Sequence, residues 1–158
     1  MKKGLSVFAA MSFVVAGALA GCSDASGDSA IGGGGSKGDT PLTPVTLETI
    51  AGTWTFENGK TSEGELEKPA GNPVEFVVED DGSYHGTAGC NNIMGTLTVD
   101  EGAVDLGPAA ATQMWCGDDE MAFETTYLGA LEQITEGAVD GDTLTLEGPE
   151  TELHYKRG

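Results

Sequence analysis

Apolar and polar positions alternate along most of the chain from residue 45 to residue 158. Leu47 and Ile50 lead into Gly52-Thr53-Trp54-Thr55-Phe56, where Trp54 and Phe56 share one face and the threonines the other, the period of a half-buried strand. Glu57 to Asn72 has no period and reads as a loop. Val74-Glu75-Phe76-Val77-Val78 is the next strand, Asp80-Asp81-Gly82 a turn, and Ser83 to Ala88 its antiparallel partner. Thr96-Leu97-Thr98-Val99 and Ala103-Val104-Asp105-Leu106, separated by a Gly turn, predict a second hairpin. Gly107-Pro108 breaks the pattern, and Thr112 to Trp115 reads as a short extended piece. The period then changes. Phe123, Tyr127, Ala130, Leu131 and Ile134 form the stripe of an amphipathic helix, with Asp118, Asp119 and Glu120 placed to cap it and to suit its dipole. Gly137 is expected to end that helix. Val139 to Leu146 forms an Asp-Gly hairpin, and Leu153 to Lys156 the final strand. The class is α+β, a mostly antiparallel sheet with one amphipathic helix packed across it.

The N-terminus follows a different rule. Lys2 and Lys3 precede an apolar run from Leu5 to Ala20 that ends in Leu19-Ala20-Gly21-Cys22. A basic start and a short apolar core mark a secretory signal, too short and too rich in Ala and Gly for a permanent membrane span. Leu-Ala-Gly-Cys resembles a bacterial lipobox, which makes residues 1–21 a removable leader and Cys22 the lipidated first residue. An ordinary secretory peptide is the alternative. Residues 22–44 are mostly Ser, Gly, Asp and Ala around Gly32-Gly33-Gly34-Gly35, a tether with an r.m.s. reach of about 25 Å. Residues 45–158 then form one domain. The expected location is the bacterial cell envelope, on the extracytoplasmic side of a membrane to which the lipid on Cys22 holds the protein.

Charge narrows the partners. Two of the seven basic residues lie in the leader, so the chain after it carries five against 26 acidic ones, a formal charge of −21. Such a body is repelled by nucleic acid and by anionic headgroups.

Candidate chemistry is sparse. Asp80-Asp81, Asp118-Asp119-Glu120 and Asp140-x-Asp142 are oxygen ligands of the kind calcium takes, but none has EF-hand spacing, and turns or a helix start account for all three. The histidines, His85 and His154, both fall in expected strands. No nucleophile elbow, phosphate loop or zinc-protease helix occurs. Neither a catalytic residue, a metal site nor a cofactor is expected. Once Cys22 carries lipid, Cys90 and Cys116 remain, and in an oxidising compartment they are expected to pair, with two buried free thiols as the alternative. Asn91 and Asn92 suit a turn; together with Gln113 they are also candidates for the rim of a binding groove.

Gly52-Thr53-Trp54, Gly89-Cys90-Asn91-Asn92 followed by Gly95, and Ala111-Thr112-Gln113-Met114-Trp115-Cys116 occur in that order, then Met121, the helix at Leu128 to Leu131, and Asp140-Gly141-Asp142 with Leu144 and Leu146. In these elements residues 46 to 157 resemble the META domain family, also called HslJ-like. Gln113 stands where the family more often carries Arg, and Trp115 where a small or apolar residue is usual. The resemblance implies a small envelope domain with an open, barrel-like antiparallel sheet and a helix across it, similar in shape to lipid-binding pilotins. It implies stress associations and no established enzymatic activity. The function expected is therefore a membrane-anchored, non-catalytic binding or envelope-stress module, whose partner is an apolar ligand or an envelope protein held between helix and sheet. The alternative is a metal-dependent or hydrolytic envelope enzyme.

Overall fold

The computed structural model describes residues 43–158; the leader, Cys22 and most of the tether lie outside the described residues. Eleven strands and two helices follow one another: β1 Thr43–Pro44, α1 Leu47–Ile50, β2 Gly52–Thr61, β3 Gly64–Glu67, β4 Val74–Val78, β5 Ser83–Ala88, β6 Asn92–Asp100, β7 Ala103–Leu106, β8 Ala110–Ala111, α2 Asp118–Leu131, β9 Glu136–Asp140, β10 Thr143–Gly148 and β11 Thr151–Arg157. Every pairing is antiparallel.

The expected hairpins form. Val78 faces Tyr84 across the Asp80–Gly82 turn, Val99 faces Val104, and Asp140 faces Thr143. The sheet differs from the expected open barrel, because its ends meet. In the order β9-β10-β11-β2-β4-β5-β6-β7, β7 pairs back onto β9 at Ala103 and Glu136, giving a closed eight-stranded barrel with β1, β3 and β8 as additions. The Gly137 amide donates to Gly102 O at 3.0 Å, and Val104 N to Thr135 O at 2.9 Å. A Cβ on Gly137 would meet Val45, Leu146 and Val104 at 3.0 to 3.1 Å. Gly137 thus lies inside β9 and allows the close approach at the seam. It does not end the helix, whose last residue is Leu131 with Glu132 as C-cap.

The expected loop from Glu57 to Asn72 is also corrected. β2 continues to Thr61, and β3 returns beside it with Leu66 opposite Gly59. The register of β11 shifts between His154 and Tyr155, so Glu57 is an extra residue in β2 that breaks the alternation after Phe56. Beyond this bulge the covered positions are Gly59 and Thr61, which carry no apolar signal.

The inward residues make one core. Phe56 is its centre, with the rings of Phe123, Tyr127 and Tyr155 at 5.8, 5.4 and 5.5 Å. The helix stripe is buried as expected, at Phe123, Tyr127, Ala130, Leu131 and the following Ile134. Tyr127 and Tyr155 meet hydroxyl to hydroxyl at 2.9 Å, so each polar tip is satisfied without water. Trp54 donates its indole N–H to Ile50 O at 2.7 Å, and Arg157 stacks on its ring at 4.1 Å. All of this core lies within one compact unit, Asp39–Gly158.

Candidate functional site

The bend between β5 and β6 holds the best-built polar cluster. Gly89 takes the left-handed backbone there, with φ of 87°, a position that favours glycine, whereas neither Asn91 nor Asn92 has a positive φ. Asn92 already belongs to β6. Asn91 itself is completely buried and bonded through every polar atom of its side chain. Its amide nitrogen Nδ2 donates to Glu124 Oε1 at 2.8 Å and to Met114 O at 3.1 Å. Its Oδ1 accepts from Met114 N at 2.7 Å and from Thr112 Oγ1 at 2.8 Å. Its backbone N–H donates to the other Glu124 oxygen at 2.8 Å. Two acceptors face Nδ2 and two donors face Oδ1, which fixes the orientation of the amide.

This cluster joins three segments distant in sequence. Glu124, 6 % exposed, brings α2; Asn91 brings the β5–β6 bend; Met114 and Thr112 bring the segment after β8. That segment runs antiparallel to β6, with Ala110 opposite Met94 and Ala111 opposite Ile93. Thr112 N donates to Asn92 O at 3.0 Å, and Asn92 N to Thr112 Oγ1 at 3.1 Å. Ala110–Ala111 is therefore the extended piece expected at Thr112 to Trp115, two residues earlier. Cys90 and Cys116 form a disulfide with Cα atoms 5.9 Å apart and close the far end of the segment. Gly117, with φ of 141°, is the N-cap of α2; it has no capping side chain, so the expected Asp cap is absent and the three acids occupy the first turn.

The segment is held by its backbone, and its large side chains are left outside. Trp115 is 75 % exposed and Met114 52 %; Met94, opposite Ala110, is 53 % exposed. Of the candidate rim residues, Asn92 and Gln113 are exposed and Asn91 is buried. The surface depression between β3 and α2, about 530 Å³, is lined by Glu63, Glu65, Leu66, Glu67, Ala122 and Phe123 among others, and by none of the three candidate rim residues. Sequence reasoning missed Glu124, since an acid on a helix carries no signal of its own that it is buried.

The other candidate groups are separate. Asp81 accepts from the Ser83 hydroxyl at 2.6 Å and the Ser83 amide at 2.9 Å; these bonds, the hydroxyl first, lower its pKa and account for its place in the turn. His85 on β5 lies 3.7 Å from Glu79, and His154 on β11 lies 3.1 Å from Glu152, with three strand pairings between β5 and β11. His154 Nδ1 also meets Thr145 Oγ1 at 3.3 Å, so a hydroxyl, an imidazole and a carboxylate do stand in line, which the sequence did not show. Thr145 and His154 are directly opposed in the ladder, and Thr145 is 7 % exposed, so the contact is accounted for as a cross-strand pair. Among the described residues no group of three or more His, Cys, Asp or Glu is gathered as for a metal ion, and no helix is long and apolar enough to cross a membrane.

The segments that meet at Asn91, Gly89 to Asn92 and Thr112 to Cys116, are two of those that carried the resemblance. The META domain model matches residues 46–157. The chain belongs to the META domain family. Two solved structures agree on the fold. An NMR structure of a protein from Burkholderia xenovorans superposes with a TM-score of 0.68 at 21 % identity, over 80 % of this chain and 95 % of that one. A second NMR structure superposes with a TM-score of 0.56 at 21 % identity, over 72 % and 95 %. A crystal structure of a DUF4847 family protein from Bacteroides vulgatus gives 0.49 at 18 % identity, over 69 % and 94 %. A search of curated proteins returned no match.

Proposed function

We propose that this META domain protein is a lipid-anchored lipoprotein of the bacterial cell envelope, which acts outside the cytoplasm by binding a partner protein and not by catalysis. The anchoring half of this reading is supported by the order of basic residues, apolar run and Leu19-Ala20-Gly21-Cys22. The binding half is carried by one observation. A fully buried asparagine and a buried glutamate hold the backbone of the segment before Cys116, while Met114 and Trp115 on that segment face solvent. A preorganised loop loses little conformational freedom on docking, and exposed tryptophan is the residue type most enriched in contacts that dominate binding. The docking surface is thus the outside of the stapled loop, with Asn92 and Gln113 beside it, in place of a groove between helix and sheet.

Two readouts on cells test the proposal together. Cys22→Ser is expected to leave the membrane fraction or to remain unprocessed; unchanged retention would contradict the anchor. A photo-crosslinking residue in place of Trp115 is expected to give a discrete adduct, and the same residue in place of Asp142, on the exposed β9–β10 turn, is not. Equal labelling from both positions would contradict the docking loop.

A further inference from the structure

We propose that the surface docking on Trp115 and Met114 is a cationic one, an apolar pocket on a partner protein rimmed by lysine or arginine. This rests on the reading of the loop as a docking surface and goes further by assigning the chemistry of what docks. Exposed aromatic and thioether side chains supply the apolar part of a contact without choosing its occupant. Charge chooses it. Asp118 follows Trp115 by three residues, within about 11 Å along the backbone, and Asp119 and Glu120 continue the same turn. Asp118 and Asp119 are exposed, and none of the three forms an ion pair within the described residues. The upper limit of about 11 Å is comparable to the screening length at physiological salt, about 8 Å, so the Asp118 charge is only partly screened from whatever covers Trp115.

The domain's own cations do not neutralise this edge. Arg157 is committed to the Trp54 ring and to the carbonyls of Ala51 and Thr49, and Lys156 donates to Thr143 Oγ1. Lys60 lines a depression with Glu147, Glu150 and Glu152. Lys68 adjoins Pro69, whose ring stands beside Gly89 at the bend, and forms no ion pair among the described residues. The chain after the leader carries −21, so a second copy and an anionic bilayer are both repelled before any apolar contact forms. A basic rim is attracted over the same distance, and the acids beside the tryptophan place that rim around the pocket.

The test uses the chain from Asp39 onward, which keeps the whole barrel and core. Tryptophan emission is read during titration with an amphipathic helical peptide of leucine and lysine. The same peptide with glutamate for lysine, oligolysine, zwitterionic vesicles and the protein alone at rising concentration are titrated beside it. Trp54 is fully buried and supplies a constant background, so a blue shift reports on Trp115. The expected result is a saturable one-to-one shift with the leucine and lysine peptide. By calorimetry Trp115→Ser weakens it at least tenfold, and Asp118→Asn with Asp119→Asn at least threefold, whereas Glu147→Gln with Glu150→Gln, which removes the same charge elsewhere, changes it less than twofold. Equal binding of the glutamate peptide overturns the cationic partner and leaves the docking loop standing. Absence of saturable binding, or binding untouched by Trp115→Ser, overturns both. A shift as large with vesicles, or with protein concentration alone, overturns the proposal in favour of a membrane surface or a second copy.

Discussion

Residue by residue, the account turns on polar atoms whose bonds are fully determined. Glu124 accepts from both nitrogens of Asn91, so Glu124→Gln forces an N–H donor against an N–H donor. The amide of Asn91 cannot turn to relieve this without losing Met114 N and Thr112 Oγ1. We expect a loss of about 1–3 kcal/mol, the cost of leaving a buried polar group unsatisfied, measured as a lower urea midpoint at unchanged m. The tyrosine pair gives a pH dependence. Burial is the first cause that pushes both Tyr127 and Tyr155 well above the ordinary tyrosine range, while an unfolded tyrosine ionises near pH 10. The folded protein therefore keeps its protons where the unfolded chain releases them, and this contribution is fully present below about pH 10 and falls as pH rises beyond it. The melting temperature should be flat across that contribution from pH 8 to 9 and drop by pH 11; a stability that rose over that interval would contradict the dry pair. At this scale the sequence was uneven. The pairing of Cys90 with Cys116 was legible because only these two of the three cysteines fall within residues 45–158. The pairing of Asn91 with Glu124 was not, because it spans 33 residues and joins two residue types that are common on surfaces.

Among the elements, legibility follows how much apolar side chain marks the inward face. The α2 stripe was readable because three of its inward residues, Phe123, Tyr127 and Leu131, and Ile134 just after it are large and apolar, and all are buried. Leu131→Asp puts an unpaired charge among them and should cost at least about 3 kcal/mol, read as a lower denaturation midpoint; a variant melting like the parent would show that this face of α2 is not packed. The extension of β2 and the pairing of β3 were unreadable for the converse reason. A bulge at Glu57 shifts the period, and Gly59 and Thr61 occupy the covered positions after it. The cap of α2 was misread, because Gly117 and not an aspartate occupies that position.

For the whole molecule, the closed barrel and the stapled loop are long-range facts that local pattern does not carry. Closure depends on Ala103 meeting Glu136 and on Gly137 leaving room for Val45 and Val104, contacts no hydrophobic period announces. The disulfide closes a separation of 26 residues, and in the loop-entropy model it stabilises the fold by about 3.5 kcal/mol. Reduction should add two protons to the intact mass and lower the urea midpoint accordingly. The central claim is that the loop before Cys116 is a fixed part of the barrel, held from beneath so that Trp115 is presented outward. Native-state hydrogen exchange of the Asn91 and Met114 amides tests it most directly, since each donates to a side chain of the cluster. The account predicts protection within about tenfold of the β10 and β11 amides of Leu146 and Leu153, whereas exchange at nearly the unfolded rate would show a loose loop and contradict it.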